Sequence, residues 1–144
     1  MERFPYLIVK VLVTGSTGFL GGRLIENFLA AGHEVIALGA DSYTSVMGNN
    51  VTSPVMIDWT NRCELTTVCQ KVGLVIHAAG PNASDCLSRK TSAVAFHDRY
   101  TRPLLEACKL ANVTRFFFLS SVHVYSSEFL GSYDEESPTL NDHP

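Results

Sequence analysis

Basic residues are scarce: 11 Lys and Arg stand against 14 Asp and Glu, a net charge of -3 over 144 residues. Without a basic excess, the electrostatics of ordinary nucleic-acid binding are excluded. No apolar run approaches the ~20 residues that a membrane-spanning helix needs. Arg3 ahead of Leu7-Ile8-Val9 faintly outlines a secretory leader, but Lys10 interrupts it and no small-residue cleavage pattern follows before Gly15. A cytoplasmic location is therefore expected. Cysteine is sparse, and Cys63, Cys69, Cys86 and Cys108 show no paired metal-ligand spacing. Reduced, buried thiols are expected and no metal site is. Repeats and low-complexity stretches are missing. Apolar residues are what the chain has in quantity, 46% against 17% charged, enough to bury a core in one domain of this length.

Those apolar residues alternate between strand and helix patterns. Val9 to Val13 is β-branched and runs into a glycine loop, which marks a first, central strand. Leu20, Leu24, Ile25, Phe28 and Leu29 recur at helical spacing, and Gly32 ends that helix. Val35 to Leu38 forms a second strand, a polar loop runs from Gly39 to Ser53, and Val55 to Ile57 forms a third strand. Asn61 and Glu64 resemble a capping box opening a helix whose inner face is Leu65, Val68, Cys69 and Val72. Leu74 to His77 is the fourth strand. A helical stretch from about Thr91 to Asn112 follows, kinked or restarted at Pro103. Phe116 to Leu119 is the fifth strand, with mostly polar loop from Ser126 onward. Such alternation implies parallel β-α-β units and an α/β, doubly wound Rossmann sheet of order 3-2-1-4-5. Ligand then sits at the carboxyl ends of the strands, near the reversal between the first and fourth.

Gly15-Ser16-Thr17-Gly18-Phe19-Leu20-Gly21 places three glycines between a strand and an amphipathic helix. Glycine triplets alone are weak signals; in this context the spacing points to a dinucleotide. The backbone can turn tightly and approach a pyrophosphate, whose charge a helix N-terminus favours. An acidic residue ending the second strand usually reads the adenosine ribose. Here Gly39 and Ala40 precede Asp41, which either approaches the ribose or is a solvated loop carboxylate. No Arg or Lys lies near to attract a 2′-phosphate, so NAD is favoured over NADP by a small margin. Asp58 ends the third strand, where its carboxylate is placed to accept a hydrogen bond from the adenine amino group. A carboxylate offsetting a helix dipole is the other reading of that position.

Four patterns in order resemble the extended short-chain dehydrogenase/reductases, the group that includes NAD-dependent nucleotide-sugar epimerases and dehydratases. They are Val11-Leu12-Val13-Thr14-Gly15-Ser16-Thr17-Gly18-Phe19-Leu20-Gly21, Asp58-Trp59, Val75-Ile76-His77-Ala78-Ala79-Gly80, and Phe118-Leu119-Ser120-Ser121-Val122-His123-Val124-Tyr125. The resemblance spans nearly the whole chain and is specific for the family, not for a substrate. It implies that Gly15, Thr17, Gly18, Phe19, Leu20 and Gly21 hold the pyrophosphate. Asp58 and Trp59 would flank the adenine, and Ala78, Ala79 and Gly80 would line the cofactor. Ser121 matches the catalytic serine or threonine that hydrogen-bonds the reacting substrate oxygen. His123, between Ser121 and Tyr125, reads more simply as a structural or exposed histidine than as one facing the pocket, and His77 as a packed strand-end residue than as an acid or base.

Departures from the family pattern bear on activity. Asn-Val-x-Gly-Thr is frequent ahead of Leu-Leu-Glu-Ala; here His97-Asp98-Arg99-Tyr100-Thr101 precedes Leu104-Leu105-Glu106-Ala107. The Val-Tyr-Gly pattern ends in Ser126. The family's chemistry also needs a Tyr with a Lys four residues later on a helix, the pair lowering the Tyr pKa from ~10. Tyr125, Tyr133, Tyr100 and Tyr43 are followed at that spacing by Phe129, Ser137, Leu104 and Met47. Tyr6 does have Lys10, but four residues running into a strand span ~13 Å against ~6 Å along a helix. The expectation is an amino-terminal NAD(P)-binding domain, residues 1–144, of a longer enzyme acting on a nucleotide sugar, ending after the fifth strand and inactive by itself. A non-catalytic dinucleotide-binding or regulatory module is the alternative. Self-association is expected through the aromatic fifth strand.

Overall fold

Among the described residues, apolar runs form four parallel strands. A computed structural model describes residues 8–39, 57–70, 72–81, 86, 94–125 and 132–139. Strand β1 (Lys10–Thr14) leads through helix α1 (Phe19–Ala30) to β2 (Glu34–Leu38). Helix α2 (Arg62–Cys69) precedes β3 (Leu74–His77), and a π turn (His97–Thr101) opens into α3 (Arg102–Leu110) before β4 (Arg115–Phe118). A 3-10 turn, Val122–Val124, follows β4. The sheet order is β2-β1-β3-β4, every pairing parallel. Strands β3 and β4 are the predicted fourth and fifth, so the described order matches the last four members of 3-2-1-4-5. Of the predicted third strand only Ile57 is described, and it lies outside any strand.

Alternation along β1 feeds two apolar layers, as the period of a strand requires. Leu12, with Leu38 and Val75, packs under α2 and α3 against Leu65, Cys69, Leu104, Ala107 and Cys108. Val11 and Val13, with Val35, Ala37 and Ile76, pack against Ile25 of α1. Helices thus cover both faces of the sheet. Leu20 departs from the expected inner face of α1: it is 58% exposed. At 3.6 residues per turn it lies about 140° around the helix from buried Ile25, so its side chain leaves the sheet.

Local rules explain most of the helix boundaries. Asn61 caps α2, its side chain accepting from the amides of Cys63 and Glu64. Glu64 completes the box differently from the usual pattern, since it accepts from the amide of Asp58 (3.1 Å) and from the Asn61 side-chain amide (2.8 Å). Gly32 takes φ of +85° just past α1, where a side chain would be strained. The expected restart at Pro103 appears one turn earlier as the π turn. Pro103 is the second residue of α3, which continues the π turn without a break, so its missing N–H falls inside a helical run and removes one intrahelical bond there.

Candidate cofactor site

Register brings the strand ends into one row. Thr14 lies opposite Leu38 on one side and His77 on the other, and His77 lies opposite Phe118. The residues that follow are therefore neighbours along one rim of the sheet: Gly39, Gly15, Ala78 and Leu119. The chain runs from β1 to β2 on one side and returns to β3 on the other, so the reversal lies between β1 and β3. Crevices at such reversals are where open α/β sheets take ligands.

At that reversal, two backbones touch. Gly15 has φ of +67°, and a Cβ there would stand 2.8 Å from the carbonyl of Ala78 and the nitrogen of Ala79. A Cβ on Gly21 would overlap the Gly15 carbonyl oxygen. The first glycine therefore serves the turn and the approach to β3, and the third brings α1 down onto the loop. Gly18 differs. Its Cβ would meet only the Gly15 carbonyl oxygen at 3.2 Å, and the residue faces solvent at the N-cap of α1. No side chain caps that helix and no acidic residue stands in its first turn. The first amides of a helix have no intrahelical partner, and their dipole favours an anion. Thr17, Phe19 and Leu20 are exposed around this end of α1, and Ser16, buried behind them, has a hydroxyl with no hydrogen-bond partner among the described residues. These features fit a pyrophosphate laid over the loop.

The far wall is held by two buried polar groups at the strand ends, Thr14 and His77. Thr14 Oγ1 lies 2.6 Å from His77 Nδ1 and accepts from the amide of Ala79 at 3.2 Å. His77 Nε2 lies 2.9 Å from Thr101 Oγ1, which lies 3.0 Å from His97 Nδ1. Burial, with a further contribution from the charge of His97, pushes the His77 imidazole down to about 4. It is neutral at physiological pH and sits beside the rings of Phe116 and Phe118. As expected, His77 is a packed strand-end residue. Thr14 and His77 were findable: each closes an otherwise apolar strand, and a buried polar group needs a partner.

Asp58 and Trp59 are tied to the π turn. Trp59 meets Tyr100 edge-on at 5.6 Å, and Arg99 lies 5.5 Å over the Tyr100 ring. Asp58 is exposed, its Oδ1 accepting from the amide (2.8 Å) and hydroxyl (2.7 Å) of Thr60. Those two bonds hold its carboxyl below the usual range, with the Arg99 charge adding. Ala78 and Ala79 are half-buried and Gly80 is exposed. Ser121 stands exposed beyond β4, its carbonyl accepting from the amide of Val124 at 3.2 Å. Asp41 lies outside the described residues. Among them, no helix is long and apolar enough to cross a membrane.

A family model described as the NAD dependent epimerase/dehydratase family matches residues 11–144. The chain belongs to that family. Its members here include the UDP-glucose 4-epimerase of Drosophila melanogaster, 30% identical over 91% of this chain and 42% of that protein. The UDP-N-acetylglucosamine 4-epimerase structure from Bacillus cereus is 26% identical with a TM-score of 0.74, covering 94% of this chain and 45% of its own. MoeE5 in complex with UDP-glucose and NAD is 25% identical with a TM-score of 0.73, covering 92% and 43%. The chain spans less than half the length of each of these proteins. The motif resemblance to extended short-chain dehydrogenase/reductases is thereby family membership.

Proposed function

We propose that residues 1–144 are the NAD-binding domain of a nucleotide-sugar epimerase- or dehydratase-like oxidoreductase. The observation that carries this is the contact at the β1–β3 reversal, where no Cβ fits between Gly15 and Ala78-Ala79, beside the open N-terminus of α1. Gly15, Thr17, Gly18, Phe19, Leu20 and Gly21 would seat the pyrophosphate. Asp58, braced by Thr60, would take the adenine amino group beside Trp59, and Asp41 the ribose. Ala78, Ala79 and Gly80 would face the remainder of the dinucleotide, where larger side chains would obstruct it. When bound, NAD supplies a hydride acceptor. Ser121 would then donate a hydrogen bond to the substrate oxygen beyond the carboxyl end of β4. Nucleotide-sugar substrates are supported by the relatives, which are UDP-sugar epimerases by name. A cytoplasmic location is part of the same reading.

This chain by itself does not turn substrate over. None of its tyrosines has a Lys four residues on along a helix, so nothing is positioned to lower a phenol's pKa and take the substrate proton. Calorimetric titration with NAD tests the binding claim. The wild-type chain is expected to bind, and Gly18→Val to lose at least about tenfold in affinity with an unchanged circular dichroism spectrum, its side chain occupying the approach to helix amides whose charge-assisted bonds are each worth ~1.5–3 kcal/mol. Equal affinity in the two proteins would remove the cofactor site from this loop. With UDP-glucose and NAD together, epimerisation and reduced-nicotinamide fluorescence should both stay at background. Steady turnover would show a base other than a Tyr–Lys pair.

A further inference from the structure

Four side chains from three elements form a continuous hydrogen-bond chain that runs from solvent to the crevice. His97 and Thr101 lie on the π turn, His77 at the end of β3 and Thr14 at the end of β1. The successive separations are 3.0 Å, 2.9 Å and 2.6 Å. Beyond them, Thr14 Oγ1 accepts the Ala79 amide at 3.2 Å. His77 and Thr14 are fully buried, whereas His97 is exposed. We propose that His97 is a positioning residue for the cofactor crevice, its protonation setting the direction of this chain and hence the grip of Thr14 on the Ala79 amide. The proposal rests on the NAD-binding reading, because Ala78 to Gly80 is taken as one wall of that site.

Hydrogen counting allows two directions for the chain. Each hydroxyl has one hydrogen, and a neutral imidazole has one donor and one acceptor nitrogen. With His97 neutral and accepting at Nδ1, Thr101 donates to it and accepts from His77 Nε2–H. His77 Nδ1 then accepts from Thr14, and Thr14 accepts from Ala79. Every hydroxyl donates once and accepts once, the arrangement in which hydrogen bonds strengthen one another. Protonated His97 carries a hydrogen on Nδ1 and can only donate to Thr101. Thr101 Oγ1, which has two acceptor lone pairs, either accepts from both rings or turns its hydrogen toward His77 Nε2; in the proposed reversal it turns, and His77 holds its single proton on Nδ1 and donates to Thr14. The added proton comes from solvent and rests on His97, while His77 changes tautomer and stays neutral. Thr14 Oγ1 now accepts from His77 and Ala79 at once, its own hydrogen turned elsewhere, and the Ala79 bond weakens. Burial of His77 pushes its imidazole down to about 4 and keeps it neutral at physiological pH.

Among the described residues, His97 has few titratable neighbours. From β3 the titratable neighbour is His77, and from β4 the Phe118 ring stands 5.8 Å away. On its own turn are Phe96 (rings 5.7 Å apart), Asp98, Arg99 and Tyr100, with Asp98 held by Arg102 at 2.7 Å.

Nitrogen-15 NMR of the ring nitrogens and NAD calorimetry, both on the whole chain between pH 5.5 and 8.5, test the proposal. In the wild type, His77 is expected to pass from the Nε2–H to the Nδ1–H tautomer as His97 becomes charged. The NAD dissociation constant should rise about threefold over the same interval, since one weakened hydrogen bond is worth under ~1 kcal/mol. His97→Asn should hold both readouts flat. Thr101→Val should uncouple His77 from His97, and Thr101→Ser should restore the coupling. An unchanged His77 tautomer over that pH range would overturn the inference, as would the same pH profile of NAD affinity in wild type and His97→Asn. Failure of NAD to bind at any pH would instead sink the cofactor reading, and the tautomer measurement would still decide the chain.

Discussion

His77 is fully buried, and that shapes the acid response of the fold. Its imidazole is pushed down to about 4 from 6.5, first by burial and then by the charge of His97. The unfolded chain takes up a proton below about pH 6.5 that the folded chain refuses. Stability from this residue is therefore complete above 6.5, declines as pH falls toward 4, and changes no further below it. At ~1.4 kcal/mol per unit the loss is about 3 kcal/mol. Urea unfolding at pH 7, 5.5 and 4.5 should show that decline in the wild type. His77→Asn should be less stable at pH 7 but respond less to acid, and parallel curves for the two proteins would contradict the assignment. Asp41 belongs to the same scale: if it reaches the adenosine ribose, NAD binds more tightly than NADP by a modest factor. Competition calorimetry would decide this, and equal affinities would place Asp41 in solvent.

Between residues and the whole fold, α2 and α3 act as a pair. Cys69 and Cys108 place their sulfurs 3.7 Å apart in the buried seam, and Arg62 forms an ion pair with Glu106 across its rim. The hydrogen bond to Cys69, together with burial, pushes the Cys108 thiol up, so it stays protonated at neutral pH. The ion pair is exposed and contributes little. Capping counts for more. Asn61 closes two amides at the start of α2, and its partner Glu64 also holds Asp58 in place. Asn61→Ala should therefore cost about 1 kcal/mol, read as a lower urea midpoint. Because the same box steadies Asp58, the substitution should also weaken NAD binding slightly. A loss of stability with unchanged affinity would separate the cap from the site.

At the scale of the molecule, the sheet ends on aromatic residues. Strand β4 closes the described order, with Phe117 54% and Phe118 45% exposed. Leu119 and Val122 continue that apolar surface. Exposed apolar edge strands are templates for another chain. The isolated chain is expected to self-associate in a concentration-dependent way by light scattering, and Phe117→Lys to reduce it. A strictly monomeric wild type would show that another part of the chain covers β4.

Much of this was legible from residue order, because local patterns report local physics. Glycine spacing between a strand and a helix, Asn61 with Glu64, and the apolar runs of β1 to β4 each carry their own structural cause. Their alternation was enough to derive the parallel sheet and the rim where ligand belongs. Leu20 was misplaced because helical spacing alone does not say which arc of α1 the sheet covers; the contact of Gly21 with Gly15 does. The π turn was taken for a proline kink, since five-residue hydrogen bonding leaves no composition signal. The Thr14–His77–Thr101–His97 chain joins residues up to 87 positions apart, and no pattern within a strand or helix records such a meeting. Sequence by itself determined the family, the glycine loop and the kind of ligand it suits. Only the tertiary structure decided which polar groups are buried together, because strand register and helix packing, not local propensity, set those distances.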